Sequence, residues 1–420
     1  MPPVKVLIVD DSALMRRLVA RLLEATGDFV VIDTAADGEE AVKKICALRP
    51  EAVSLDLEMP VLDGLGVLRQ VMRRCPAPVV MLSSHTTKGA RATMQALSLG
   101  AVDFVAKPEK PGYLDVMVAE LALKLKTAAM VSSRKLGLLR PALRKPSLGK
   151  PSSEQAAGAG ETRSPVAAER FLPEIPEKKL PGRLSEPERE YQAGQGATPE
   201  SPAAAREKGA DGVPARPAGG TEAVRGKAGR VDLVVVGSST GGPAALQVLI
   251  PALPAGFPAA VVVVQHLPPG FSRSLAEHLA RRSRLQVKHA EAGDPVTPGQ
   301  VLVAPAGCDL AFRGRAGSVS VRLESCGEPR SPGVFRPSVD GVMTSAAEVY
   351  GAHAMGVLLT GMGRDGAKGM AAIRERGGPT IAEAESTCVV FGMPKAAIEA
   401  GAAQKVLPLG EIAGEIVNMI

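Results

Sequence analysis

The chain has 420 residues, 45% of them hydrophobic, with eight Phe, three Tyr and no Trp. That length predicts two or three domains, and the composition predicts aliphatic cores. The formal charge of +6 suggests nucleic acid, but residues 128–230 hold 18 Lys+Arg against 12 Asp+Glu, which is the whole excess; without aromatic stacking residues or a recognition-helix pattern, a nucleic-acid-binding function is excluded.

In chain order, Val4 to Val9 predicts a strand that ends at Asp10-Asp11, and Ala13 to Ala25 has helical periodicity. Ala52 to Leu55 leads to Asp56, Pro78 to Leu82 leads to Ser83-Ser84, and Val102 to Ala106 leads to Lys107-Pro108. A last amphipathic helix covers Tyr113 to Thr127. This rhythm predicts a domain over 1–127 with a parallel sheet covered by helices on both faces. Residues 128–229 hold 12 of the 35 Pro and little periodicity. Such a composition cannot bury enough apolar surface to offset ordering entropy, and a flexible linker is expected there.

From Arg230 the rhythm returns and predicts a second α/β domain over 230–420. Its strands are Val231–Val236, Ala260–Val264, Gln300–Ala304, Ser318–Arg322, Met355–Thr360, Thr380–Glu383 and Lys405–Pro408. The expected architecture is doubly wound and mostly parallel, with room for an antiparallel hairpin at Ser318–Arg322. No uncharged apolar run approaches the ~18 residues of a membrane span, and the N-terminus has no signal-peptide layout. Cys46, Cys75, Cys308, Cys326 and Cys388 are scattered and lack CxxC spacing. They are read as reduced thiols of a cytoplasmic protein.

Asp10, Asp11, Asp56, Ser83 and Lys107 all fall at the C-terminal ends of predicted strands. In an open α/β sheet that edge binds ligands. Carboxylates meeting there repel one another unless a cation joins them, and hard oxygen ligands suit Mg²⁺. A Lys and a hydroxyl at the same edge can hold the oxygens of a phosphoryl group. Any one acid alone reads more readily as a helix cap or a solvated turn residue; five suitable residues at successive strand ends do not. The stretches Val6-Leu-Ile-Val-Asp-Asp-Ser12, Leu55-Asp-Leu-Glu-Met-Pro-Val-Leu-Asp-Gly64 and Ala106-Lys-Pro108 resemble a response-regulator receiver domain. The resemblance implies a flavodoxin-like fold with Asp56 as the phosphorylated residue. It further implies Mg²⁺ held by Asp10, Asp11 and Asp56, with Ser83, Phe104 and Lys107 as switch residues.

The second domain opens on a Val-rich strand that breaks into Gly237-Ser-Ser-Thr-Gly241, a G-x-S-x-G match centred on Ser239. Pro243 then starts a helix. Strand, glycine turn, serine and helix form the context of a nucleophile elbow, although such a turn can also hold a phosphate. Of the five His, His85 lies in the first domain, His278 and His289 sit among charged residues and read as exposed, and His353 is weakly placed. His266 ends a strand and shares the edge of Ser239. Asp365, in the glycine-rich loop Gly361-Met-Gly-Arg-Asp-Gly366, is the preferred orienting acid, with Asp340 as rival and helix capping as its plainer role. The order Ser, His, Asp departs from the α/β-hydrolases, which run Ser, acid, His.

This segment resembles the catalytic domain of the CheB family of chemotaxis methylesterases. The resemblance rests on Gly237–Gly242, Gln265–Phe271, Phe335–Asp340, Leu359–Gly366 and Cys388–Pro394. It implies Ser239 as nucleophile, His266 as general base and acid, Asp365 as its orienter, and backbone N–H groups of Met362 and Thr240 at the oxyanion. It implies hydrolysis of glutamate methyl esters on methyl-accepting chemoreceptors, with glutamine deamidation as a second activity and no cofactor for the esterase step. A chemotaxis histidine kinase would be the phosphodonor, with no nucleic acid partner and no membrane insertion. The long linker departs from that family's short connection. The rival reading is a response regulator whose output domain binds a nucleotide or protein without catalysis.

Overall fold

The structure is a computed structural model that describes residues 2–108, 111–131, 231–315, 317–324, 326–327 and 336–420. The linker expected over 128–229 lies outside these residues from 132 onward, as does Phe335.

The first domain alternates strands β1 (Val4–Val9), β2 (Phe29–Ala35), β3 (Ala52–Asp56), β4 (Val79–Ser83) and β5 (Asp103–Ala106) with helices. These are α1 (Ala13–Ala25), α2 (Gly38–Leu48), α3 (Gly64–Arg74), α4 (Thr87–Leu99) and α5 (Leu114–Ala129). The sheet order is β2-β1-β3-β4-β5, with every pairing parallel. β3 and β4 are buried along their whole length. This suits central strands of a sheet covered on both faces, which read as continuous apolar runs. Chain order reverses between β1 and β3, and their carboxyl ends carry Asp10 and Asp56. This is the topological switch point where such sheets bind ligands.

The second domain has strands β6 (Leu233–Ser238), β7 (Ala260–Gln265), β8 (Gln286–His289), β9 (Gln300–Val303), β12 (Ala354–Leu358), β13 (Thr380–Glu383) and β14 (Lys405–Leu407) in one sheet. Their order is β14-β13-β12-β6-β7-β9-β8, and all pairings are parallel. The hairpin allowed by the sequence is formed by β10 (Asp309–Arg315) and β11 (Ser318–Glu324), paired antiparallel. Helices α6 (Gly242–Ala252), α7 (Phe271–Ala280), α8 (Val339–Tyr350), α9 (Ala367–Glu375), α10 (Met393–Glu399) and α11 (Leu409–Met419) cover the sheet. Here the reversal falls between β6 and β12, so the chain following β6, β7 and β12 meets at one edge.

Two cysteine pairs are bonded, Cys46 to Cys75 and Cys308 to Cys326, while buried Cys388 belongs to neither pair. The expectation of five reduced thiols is therefore corrected. Sequence spacing carried no sign of either pair, because α2 against α3 and the closing of the β10–β11 hairpin bring the partners together. Among the described residues, no helix is long and apolar enough to cross a membrane.

Candidate active site

Ser239 leaves the fully buried strand β6 in a tight turn. Its N–H donates to Thr360 O at 3.1 Å, and Gly242 N–H closes the turn on Ser239 O at 2.8 Å. Gly241 takes φ +78°, a left-handed conformation that favours glycine, and starts α6 with Pro243 in its first turn. Gly361 brings the next loop against the serine: a Cβ there would stand 2.9 Å from Ser239 Cβ. Ser239 is 8% exposed and His266 7%.

His266 stands one residue beyond β7, where Gln265 pairs with Ser238, and its N–H donates to Ser238 O at 3.1 Å. On the other flank of β6, β12 feeds the loop that carries Asp365. His266 Nε2 and Asp365 Oδ2 are 2.9 Å apart. Asp365 also accepts hydrogen bonds from Ser338 Oγ at 3.0 Å and from the N–H groups of Val339 and Asp340, each at 2.8 Å. Burial alone would raise the Asp365 pKa. The His266 hydrogen bond and charge, with the two backbone N–H groups, outweigh burial and hold it at about 2. The acid is thus fixed as a carboxylate at the N-terminus of α8, where an anion is favoured.

Asp340 makes no bond to His266 in this arrangement. Its Oδ1 accepts from Gly366 N–H and Gly369 N–H, both at 2.8 Å, and so caps α9. Burial, together with the Asp365 charge, raises its pKa despite those bonds. The capping role anticipated for Asp365 at α9 belongs to Asp340, while Asp365 caps α8.

Two polar groups at this edge escaped the sequence reading. Gln265 ends the Val-rich strand, and its amide donates to the carbonyls of Ser239 and His266. Thr360 Oγ1 donates to Thr240 O at 3.0 Å and accepts Val390 N–H at 3.0 Å, while Thr360 N–H donates to buried Glu383 at 2.8 Å. It stitches the serine turn to the loops that follow β12 and β13. The only sequence signal for either is a polar residue ending a buried apolar run.

At the edge of the first sheet, Lys107 Nζ contacts Asp10 Oδ2 at 2.9 Å and Asp56 Oδ2 at 2.7 Å. Carboxylate oxygens of Asp10, Asp11 and Asp56 lie within 4.8 Å of one another. Burial raises the Asp56 pKa to about 6, with the Asp10 charge adding to it and Lys107 opposing it. Burial lowers the Lys107 pKa, but both carboxylates overcome this and the net direction is upward. Ser83 is buried, and its Oγ accepts from Thr93 Oγ1 at 2.7 Å. Phe104 is buried within β5, the strand that leads to Lys107, its ring 4.7 Å from that of Phe271.

That ring contact belongs to a wider junction, since the two domains lie in one compact unit. Thr240 Oγ1 donates to Asp103 Oδ2 at 2.5 Å, and Thr127 Oγ1 contacts Met362 Sδ at 3.4 Å. Both residues expected at the oxyanion are therefore touched by the first domain. Arg91 pairs with Glu277 at 3.1 Å, and Ser98 bonds Gln247 and His278. His278 and His289, expected to be exposed, are half-buried; His278 meets Ser98, and His289 Nε2 lies 3.0 Å from Ser272 Oγ. Burial lowers the pKa of each, helped by neighbouring arginines. Helical packing turns these residues inward although their sequence neighbours are charged.

Fold and site together define a two-domain α/β protein: an acidic pocket of Asp10, Asp11 and Asp56 at one sheet edge, joined to a body that gathers Ser239, His266 and Asp365 at another. Family models match at both ends, the response regulator receiver domain over residues 6–119 and CheB methylesterase over 234–416. The chain is 43% identical, over its whole length and 97% of the relative's, to the protein-glutamate methylesterase/protein-glutamine glutaminase of Symbiobacterium thermophilum. A protein of the same description from Moorella thermoacetica is 42% identical over all of this chain and 98% of its own. The chain belongs to the CheB family of protein-glutamate methylesterases/protein-glutamine glutaminases.

Proposed function

We propose that this chain hydrolyses glutamate γ-methyl esters on the cytoplasmic helices of methyl-accepting chemoreceptors, releasing methanol, and deamidates glutamines at the same sites. The observation that carries this reading is the His266–Asp365 bond on the sheet edge that holds Ser239. In the proposed reaction, Ser239 Oγ attacks the ester carbonyl while His266 takes its proton. His266 then returns the proton to the departing methoxide; water, deprotonated by His266, cleaves the acyl-enzyme to the glutamate carboxylate, and His266 passes that proton back to Ser239 Oγ. Backbone N–H groups of Met362 and Thr240 stabilise the oxyanion. An amide leaves less readily than an ester and asks more of His266 as acid.

Control is assigned to Asp56 as phosphoacceptor, supplied by a chemotaxis histidine kinase. The clustered oxygens of Asp10, Asp11 and Asp56 suit a small hard cation. Mg²⁺ bound there would compensate the charge of the incoming phosphoryl group. Lys107 and Ser83 would read the phosphoryl oxygens, with Phe104 as the switch aromatic. The contacts of Asp103 and Thr127 with Thr240 and Met362 favour a cover that the unphosphorylated first domain holds over the serine edge. The test is methanol release by the full chain and by Ser239→Ala, where loss of activity by orders of magnitude is expected.

A further inference from the structure

We infer that Gln265 is a positioning residue that fixes the nucleophile-bearing turn and the general base relative to each other; this rests on the roles proposed for Ser239 and His266. Its side-chain amide is 3% exposed. Nε2 donates to Ser239 O at 2.9 Å and to His266 O at 3.0 Å, and Oε1 accepts from Ser238 Oγ at 2.6 Å. One rigid planar group therefore joins the end of β6 to the end of β7, at the residues whose side chains must meet.

The chemistry of the partners makes an amide the fitting group here. Two carbonyl oxygens need two donors, and a hydroxyl needs an acceptor. Turning the amide over would set its oxygen against two carbonyls, so the network admits a single orientation. The space is shaped to the same end: a Cβ on Gly242 would stand 2.0 Å from Gln265 Oε1 and 2.8 Å from Ser238 Oγ. Gly242 thus leaves room for the amide where α6 begins. Buried networks of this kind specify one geometry when fully satisfied and fail sharply when partly satisfied.

Gln265→Glu keeps the shape and replaces the NH₂ by an oxygen. Ionised, it would face two carbonyls with negative charge; protonated, it recovers one of the two donors. Burial and hydrogen bonding of the neutral form both favour protonation, so recovery should come on acidification.

The experiment compares wild type, Gln265→Glu and Gly242→Ala in the full chain, each treated with acetyl phosphate and Mg²⁺. It measures methanol release from a methylated receptor fragment across pH, labelling of Ser239 by a fluorophosphonate, and thermal unfolding. At pH 8 the Glu variant should lose kcat by about 100-fold, the usual consequence of a misplaced catalytic group. KM should hold within about twofold, because the amide does not reach the surface. Labelling should slow in step, and the variant-to-wild-type ratio should rise as pH falls. Gly242→Ala should show the same split between kcat and KM without the pH-dependent recovery. The inference is overturned if kcat holds while KM rises, if the ratio is flat with pH, or if lost activity only tracks the unfolded fraction. Wild type that is neither labelled at Ser239 nor active would overturn the functional reading, and this inference with it.

Discussion

Asp340 and Asp365 cap each other's helices. Asp365, just before α9, accepts the N–H groups of Val339 and Asp340 at the start of α8, while Asp340, in the first turn of α8, accepts those of Gly366 and Gly369 at α9. The exchange locks two helix starts together and leaves one carboxylate oxygen, Asp365 Oδ2, 2.9 Å from His266. It favours Asp365 over Asp340, the two acids that the sequence offered as orienters. Asp340→Asn keeps an accepting oxygen and should retain activity within about threefold, since caps contribute only ~0.5–2 kcal/mol. Asp365→Asn removes the charge beside the imidazole and should lower kcat by about 10³- to 10⁴-fold. Steady-state kinetics on both variants check this; equal losses would contradict it.

Asp365 should also stay ionised at any working pH. Its folded pKa of about 2 lies below the 3.8 of the unfolded chain. Its stabilising contribution is therefore present above pH 4 and disappears as pH falls through 2. Acid unfolding curves of wild type and Asp365→Asn should converge below pH 2 and separate above pH 4.

The acidic pocket around Asp56 carries the opposite sign. Folded Asp56 binds its proton near pH 6, the unfolded chain near 3.8. Between those values the folded state holds more protons, so stability falls as pH rises through this window. In metal-free buffer, Asp56→Asn should be more stable than wild type at pH 8, by about 1–2 kcal/mol after allowing for the lost Lys107 contact. Denaturant titrations should show the advantage vanishing below pH 4. An advantage that persists unchanged at pH 4 would contradict the assignment.

The Asp103–Thr240 bond sets a buried carboxylate against the residue after Ser239, the proposed nucleophile. A negative charge there opposes a developing oxyanion as well as blocking access. Asp103→Asn should raise basal hydrolysis by the unphosphorylated full chain about five- to tenfold. Basal activity unchanged from wild type would reduce the contact to packing.

The disulfides make a chemical prediction. Native protein should present no more than the single thiol of Cys388, and this one only slowly because it is buried, whereas reduced and unfolded protein should present five. The Cys308–Cys326 ring closes a separation of 18 residues. Cys308→Ser with Cys326→Ser should cost about 3 kcal/mol as an upper bound, by the loop-entropy argument. Thiol titration and denaturant melts measure both.

Much of the fold was legible because the central strands are dominated by apolar, β-branched residues. Val4–Val9, Leu233–Ser238 and Ala260–Gln265 declare themselves, and the residues that follow them fall at one edge by the geometry of a parallel sheet. The edge strands Phe29–Ala35 and Gln286–His289 did not, since their partly exposed faces mix polar and apolar residues. What sequence could not reveal were relationships between distant residues. Asp103 reads as an acid inside the predicted strand Val102–Ala106 until Thr240 is beside it, and Gln265 as a polar end to a valine run. The swap of caps between Asp340 and Asp365 depends on two helix starts meeting across 25 residues of chain.

The most direct measurement is methanol release from methylated chemoreceptor fragments by the full chain, with and without acetyl phosphate and Mg²⁺. Release that depends on Ser239 and rises on phosphorylation, with the rise lost in Asp56→Asn, is the predicted result. Release undiminished in Ser239→Ala, or absent under both conditions, would contradict the account.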